Sequence, residues 1–210
     1  MPVIAVDGPA ASGKGTIARA LARHFGLPHM DTGLLYRAVA LNLWRWGGDP
    51  GNEFEAVRAC DDIGVEPDDP ELRSEPVSKI ASMISAYPSV RAALLQRQQE
   101  FAWQQGGAVL DGRDIGTVIA PDADAKLFVT ATPEVRAQRR LSELEKRGMH
   151  VHFDDVLADI RARDERDSSR DVAPLKPAPD SILLDTSALD VEEAIAAAVR
   201  LVEERLGNPA

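Results

Sequence analysis

Gly8-Pro9-Ala10-Ala11-Ser12-Gly13-Lys14-Gly15-Thr16 stands between the apolar run Val3-Ile4-Ala5-Val6 and a stretch, residues 14–25, whose apolar side chains recur at helical spacing. A strand that passes through a glycine turn into a helix N-terminus aims several backbone N–H groups at one spot. The helix dipole adds potential favourable to an anion there. Gly8 and Gly13 admit backbone conformations closed to larger residues, so the segment reads as a phosphate cradle. Lys14 stands where an ammonium reaches the outer phosphates, and Thr16 brings a hydroxyl to the phosphate and its magnesium. In the pattern G-x-x-x-x-G-K-[ST] the hydroxyl follows the lysine directly; here Gly15 intervenes.

Outward from the loop, the helical pattern of Ile17, Ala18, Leu21, Ala22 and Phe25 stops at Gly26, followed by Pro28. A second helical pattern, Leu35 to Trp46, ends at Gly47-Gly48, and residues 49–75 read as short helices and turns. Lys79 to Trp103 reads as two helices split near Pro88. Ala108 to Asp111, Lys126 to Val129 and Ser181 to Asp185 read as further strands, with helices over 133–147, 154–168 and 190–206. Asp190 and Glu193 open the last helix with a capping box. Strands alternating with helices predict an α/β fold, a three-layer α/β/α arrangement around a central parallel sheet. Ligands in such sheets bind beyond the carboxyl ends of the strands, where the suggestive segments begin.

The 210 residues are 44% hydrophobic and 28% charged, which excludes a disordered or fibrous chain. No run approaches the ~18 apolar residues of a membrane span. The chain enters its first strand directly after Met1-Pro2, with no basic stretch or cleavage site, so no secretory leader is expected. Cys60, the single cysteine, makes no internal disulfide and no cysteine-based zinc site; a cytoplasmic, reduced location is expected. The net charge of −10 argues against binding nucleic acid. Only five of the 24 basic residues are lysine, and arginines gather in 136–147 and 161–170. That clustering fits a small anionic ligand in a pocket, although composition alone favours a solvated, salt-bridged surface.

Asp31-Thr32-Gly33-x-x-Tyr36-Arg37 opens a helix, where Thr32 and Gly33 offer a hydroxyl and an N–H to an anion, with Arg37 one turn inside. It fits a plain N-cap as well. Asp111-Gly112-Arg113-Asp114-Ile115-Gly116-Thr117 follows a strand. Asp111 has the place of an acid that orders magnesium through water. Arg113 and Asp114 set a cation and an acceptor side by side, suited to a phosphate and a base amino group, or to a self-satisfied turn. Arg163, Asp167 and Arg170, at i, i+4 and i+7, fall within about 60° of one another on a helix. They continue the stripe of Val156 and Ile160, paired internally or turned to a ligand. Arg136, Arg139 and Arg140 share one helical face before Glu145-Lys146-Arg147-Gly148, a break suited to a lid. His24, His29, His150 and His152 have no metal-ligand pattern and are expected on the surface or on helices. Cys60, Trp44, Trp46 and Trp103 are expected to pack. A guanine-binding switch needs N-K-x-D, and none of Asn42, Asn52 and Asn208 is followed by lysine.

The combination of G-P-A-A-S-G-K-G-T, D-T-G-x-x-Y-R, D-G-R-D-I-G-T and R-D-E-R-D-S-S-R followed by Ala173-Pro174-Leu175 resembles the bacterial cytidylate kinases over most of residues 3–206. The resemblance implies a P-loop NTPase fold with short NMP-binding and LID subdomains. In one kinase domain over 1–210 the CORE would be 1–35, 106–140 and 171–210, the NMP-binding region about 36–105 and the LID about 141–170. It implies transfer of the γ-phosphoryl group of ATP to CMP or dCMP with Mg2+, in a monomer that needs no nucleic acid and no membrane. ATP would be held by Gly8, Pro9, Ala10, Ala11, Ser12, Gly13, Lys14, Gly15 and Thr16. Arg136 would lie against adenine and Arg140 near the transferring group. Magnesium would be met by Thr16 and, through water, Asp111. CMP would meet Thr32, Tyr36, Arg37, Ser82, Arg91, Arg113, Asp114, Arg163, Asp167 and Arg170. Of these, Arg37, Arg113 and Arg170 would hold its phosphate, Asp114, Ser82 and Arg91 would read cytosine, and Arg163 with Asp167 would contact the sugar. Catalytic roles fall to Lys14, Arg113, Arg140 and Arg163.

Some members of that family carry a longer insert with a small antiparallel sheet; Val65 to Pro76 here is brief, acidic and proline-rich, with no alternating strand pairs. Two rival functions share the glycine loop: a kinase of another small acceptor, such as UMP or shikimate, and a non-catalytic ATP-binding module.

Overall fold

A computed structural model describes residues 1–61, 63 and 69–207. The chain divides into two compact units, Met1–Met30 with Ala102–Ala210, and Asp31–Phe101. Residues 141–170 belong to the first and form no separate unit.

The first unit is built on β1 (Val3–Asp7), α1 (Lys14–Phe25), β2 (His29–Asp31, whose last residue is the first of the second unit), and, after the second unit, β3 (Ala108–Gly112), β4 (Ala125–Thr130) and β5 (Ile182–Asp185). The sheet runs β2-β3-β1-β4-β5. β1 lies parallel to β3 with Val3 beside Ala108 through Asp7 beside Gly112, and parallel to β4 with Ile4 beside Ala125. β4 and β5 are parallel with Leu127 beside Ile182. Every residue of β1 and β3 is buried, as the unbroken apolar runs require of inner strands covered on both faces. This register brings the ends of β1 and β3, with their acids Asp7 and Asp111, to the level where the glycine loop starts.

Ile4, Val6, Val109, Leu127 and Val129 pack with Ile17 and Leu21 of α1 and with Ala194, Ala198 and Val202 of a last helix, Val191–Gly207. Each large apolar side chain buried there contributes about 1.5–3 kcal/mol. The capping box of that helix is formed reciprocally: Asp190 N donates to Glu193 Oε2 at 3.0 Å and Glu193 N to Asp190 Oδ1 at 2.8 Å. Pro133–Lys146 and Phe153–Ser168 form a helical pair, packed through Ala137, Leu144, Val156 and Ile160 onto Ala10. Gly148, at φ 77°, turns the chain between them.

The second unit holds α2 (Thr32–Trp46), α3 (Glu53–Arg58), a 3-10 turn (Pro70–Arg73), α4 (Glu75–Ile84) and α5 (Pro88–Ala102). With these in place, the pair in the first unit is α6 (Pro133–Lys146) and α7 (Phe153–Ser168), and the last helix is α8. Tyr36, Val39, Leu43, Leu72, Val77, Ile84, Val90 and Leu94 form its core. Pro88 stands at the first position of α5, where its missing N–H costs nothing. The expectation for Val65 to Pro76 falls partly outside the described residues; 70–73 are the 3-10 turn, and no strand occurs among the described residues after Asp31 in this unit. No helix among the described residues is long and apolar enough to cross a membrane.

Three expectations need correction. His29 lies on a strand, the three-residue β2, too short for alternation to show. Val109 N donates to the Pro28 carbonyl at 2.9 Å beside it. The helix carrying Arg163 and Asp167 ends at Ser168, so Arg170 is not held by helical phase. Trp44, Trp46 and Trp103 are each more than two-fifths exposed rather than packed; Trp46 instead lies under the Arg58 guanidinium, 5.0 Å from the ring centre.

Candidate active site

The glycine loop is forced by its neighbours. A Cβ on Gly8, at φ 153°, would stand 2.0 Å from the Val129 carbonyl oxygen, so only glycine passes β4 there. Ala11 (φ 58°) and Gly13 (φ 91°) then turn the chain into α1. No side chain caps α1 and no acid sits in its first turn, so no capping side chain or acid of that turn competes with an anion for the positive end of the helix. Ser12 is fully buried, and its Oγ has no hydrogen-bond partner among the described residues. The chemistry of this end of the molecule fits a nucleoside triphosphate and magnesium: a bare helix end, the Lys14 ammonium, the Thr16 hydroxyl and a carboxylate at the end of β3.

That carboxylate, Asp111, is buried, and its Oδ1 lies 2.7 Å from His29 Nε2. Its Oδ2 lies 3.6 Å from where a Cβ on Gly15 would be, hence against the first turn of α1. Asp7, the residue before the loop, accepts N–H bonds from Ile115 and Gly116, each at 2.8 Å. Burial pushes its carboxyl up to about 7 against those two N–H donors, with Asp114 adding to the rise and Lys14 opposing it. Asp7 thus holds the Asp114-Ile115-Gly116 turn to the strand that launches the glycine loop. Neither Asp7 nor His29 stood out in the sequence. An acid ending an otherwise apolar, buried strand was the available signal.

A cleft of about 620 Å³ opens beside the loop, lined among others by Gly13, Thr16, Val135, Arg139, Thr186 and Leu189. This volume suits a nucleoside. Arg136 is outside that lining and 3% exposed: its fork closes on Asp164 at 2.9 and 2.6 Å, and it donates to the Ala131 and Ala10 carbonyls. Arg140 pairs with Glu143 at 3.0 Å. The arginine face read on this helix is therefore divided among different partners.

Asp167, 2% exposed, gathers three further arginines, Arg113, Arg163 and Arg170. Arg113 Nε donates to its Oδ2 at 2.9 Å and Arg170 to its Oδ1. Arg170 reaches it because the chain turns back past Ser168, with Ala173 at φ 52° and Leu175 N bonded to the Asp167 carbonyl at 2.8 Å. Burial alone would raise the Asp167 carboxyl, but Arg113, Arg170 and Arg163 together hold it at about 2. Three guanidinium groups around one carboxylate that is ionised at neutral pH form a field suited to a phosphate. Asp114 is buried next to Arg113 and starts the turn over Ile115–Ile119.

In the second unit Thr32 is buried as the first residue of α2. Tyr36 and Arg91 are buried together, the guanidinium 5.7 Å from the ring centre, with Arg91 Nη1 donating to the Ser85 carbonyl at 3.3 Å. Arg37 donates to the Leu72 carbonyl at 3.0 Å and to Ser78 Oγ at 3.1 Å, one helical turn before Ser82 on α4. The structure thus gathers two sets: Lys14, Thr16 and Asp111 with Arg113, Asp114, Arg163, Asp167 and Arg170 in one unit, Thr32, Tyr36, Arg37, Ser82 and Arg91 in the other.

The family described as cytidylate kinase matches residues 4–204. A cytidylate kinase of Methylocella silvestris is 56% identical over 214 residues, covering 99% of each chain. One of Xanthobacter autotrophicus is 58% identical over 205 residues, covering 97% of this chain and 98% of its own. A crystal structure of an uncharacterised protein from Eubacterium ventriosum, 15% identical, superposes with a TM-score of 0.58 over 97% of this chain and 99% of its own, a likeness of fold alone. With a family match across nearly its whole length and relatives identical at more than half their positions, the chain belongs to the cytidylate kinase family.

Proposed function

We propose that the chain is an ATP-dependent kinase of CMP and dCMP that forms ADP and CDP or dCDP. One observation carries the reading: an uncapped helix N-terminus behind a glycine loop and a buried three-arginine cluster around Asp167 occur together in a member of this family.

The reaction joins two polyanions and asks little covalent work of the protein. Backbone N–H groups of the glycine loop and the Lys14 ammonium bind the triphosphate and hold it in line. Magnesium, when bound with the nucleotide, offsets phosphate charge; Thr16 and, through water, Asp111 would hold it. Arg113 and Arg170, with Arg37 on the family resemblance, receive the acceptor's phosphate, Arg163 with Asp167 the sugar, and Asp114 the cytosine amino group. Thr32, Tyr36, Arg37, Ser82 and Arg91 are assigned to CMP on the family resemblance, as Arg136 and Arg140 are to ATP. On the same basis residues 36–105 act as the NMP-binding region and 141–170 as the LID of a monomer. Arg140, paired with an exposed glutamate, can leave that partner at little cost, since such surface pairs are worth about 0–1 kcal/mol.

A coupled assay with CMP, dCMP, UMP and AMP tests the reading. CMP or dCMP turns over best; fastest turnover on AMP, or none on CMP, overturns it. Arg113→Ala weakens CMP binding at least ten-fold by calorimetry, on the order of one charge-assisted hydrogen bond or more. Unchanged affinity would remove Arg113 from the site.

A further inference from the structure

Three segments distant in sequence wall the cleft beside the glycine loop: α6, the loop end at Ser12-Gly13, and residues 186–191, which lead from β5 into α8. One side chain ties them together. Arg139, on α6, donates through Nη2 to the Thr186 carbonyl at 2.7 Å. Through Nη1 it donates to Thr186 Oγ1 at 2.9 Å and to the Ser12 carbonyl at 3.3 Å. The Thr186 hydroxyl lies 3.1 Å from both the Ser12 and Thr130 carbonyls, so its single proton serves one of them. Thr186 N donates to the Thr130 carbonyl at 2.8 Å, which anchors the segment to the end of β4.

Among the described residues, every hydrogen bond of Arg139 goes to a neutral oxygen. Burial lowers its pKa from the ordinary value, while Asp185 pulls the other way. A guanidinium used on carbonyls and a hydroxyl acts by its planar fork, which a lysine ammonium does not reproduce.

We infer that Arg139 is a positioning residue for the phosphoryl donor: it clamps the Thr186 segment to the end of the glycine loop and so sets the width of the cleft that receives the donor nucleoside. Its charge is secondary to its geometry. The inference rests on the reading of the chain as an ATP-dependent kinase.

Arg139→Lys and Thr186→Val, in the full chain, test it. ATP binding is measured by calorimetry without acceptor, and KM for ATP and for CMP are measured separately. Arg139→Lys raises Kd and KM for ATP about ten-fold, the scale of leaving a buried acceptor unpaired. Thr186→Val, nearly isosteric, raises them several-fold. KM for CMP and kcat stay within about two-fold of the parent. Parent-like ATP affinity in Arg139→Lys overturns the clamp, as does a silent Thr186→Val, because charge would then suffice. Equal losses toward ATP and CMP also overturn it, since they report general loosening. If the parent chain bound ATP but left CMP unphosphorylated, the kinase reading would fail while the calorimetry still decided the clamp.

Discussion

Replacing Asp7 by asparagine isolates the energetic cost of a carboxylate buried at the root of the glycine loop. Burial lifts that carboxyl from 3.8 to about 7, despite the Gly116 and Ile115 N–H groups that favour its ionised form. The folded protein therefore keeps a proton that the unfolded chain gives up, and stability falls as pH rises across the interval from 3.8 to about 7. The stabilising contribution of the protonated group is complete below the lower value and lost above the upper one. About three pH units at about 1.4 kcal/mol each make roughly 4 kcal/mol in all, of which about 3 kcal/mol falls between pH 5 and pH 8. Asparagine does not titrate, so the variant lacks this decline. It carries its own cost of about 1–3 kcal/mol at the acidic end, because its amide nitrogen meets one of the two N–H donors. Urea unfolding of parent and variant across that range, with constant slopes, reads the difference directly. The variant begins less stable and overtakes or matches the parent near pH 8. A gap between the two that stays constant from pH 5 to pH 8 refutes the reasoning.

Gly8→Ala forces a Cβ to within 2.0 Å of the Val129 carbonyl, and stability drops by more than about 3 kcal/mol; a parent-like melting temperature contradicts this. Asp167→Asn removes a carboxylate held at about 2, whose stabilisation is present above 3.8 and lost as pH falls toward 2. The variant is less stable than the parent by about 2 kcal/mol at neutral pH, a gap that chemical denaturation shows closing in acid. His29→Leu removes the partner 2.7 Å from Asp111 and raises the magnesium concentration for half-maximal velocity about ten-fold, with KM for CMP unchanged. His29→Gln restores most of the difference; an unaltered magnesium dependence in His29→Leu speaks against any role of His29 in orienting Asp111.

Chain-local patterns carried the element order. Runs such as Val3–Val6 and Ala108–Leu110 are buried strands: they are too short for a helix, rich in β-branched and apolar residues, and each ends in an acid and a glycine, as a strand covered on both faces requires. The glycine loop was legible for the same reason, its requirement being a property of nine consecutive residues. Helical phase was informative only while the helix lasted. It aligned Arg163 with Asp167 but misplaced Arg170, which reaches the carboxylate through a turn beyond Ser168.

Partnership, by contrast, was decided by the tertiary fold. Asp7 finds Ile115 108 positions away, His29 finds Asp111 82 away, Arg113 finds Asp167 54 away and Arg139 finds Thr186 47 away. Composition and spacing named the arginines that could meet a phosphate, yet each has several oxygens it could satisfy. Which one it takes depends on the parallel register that sets the ends of β1, β3 and β4 side by side and on the depth at which water is excluded. Burial makes the choice consequential: beneath the surface an unpartnered charge is costly, so the fold sorts one class of side chain into a clamp, a salt-bridged pin and a cluster around Asp167.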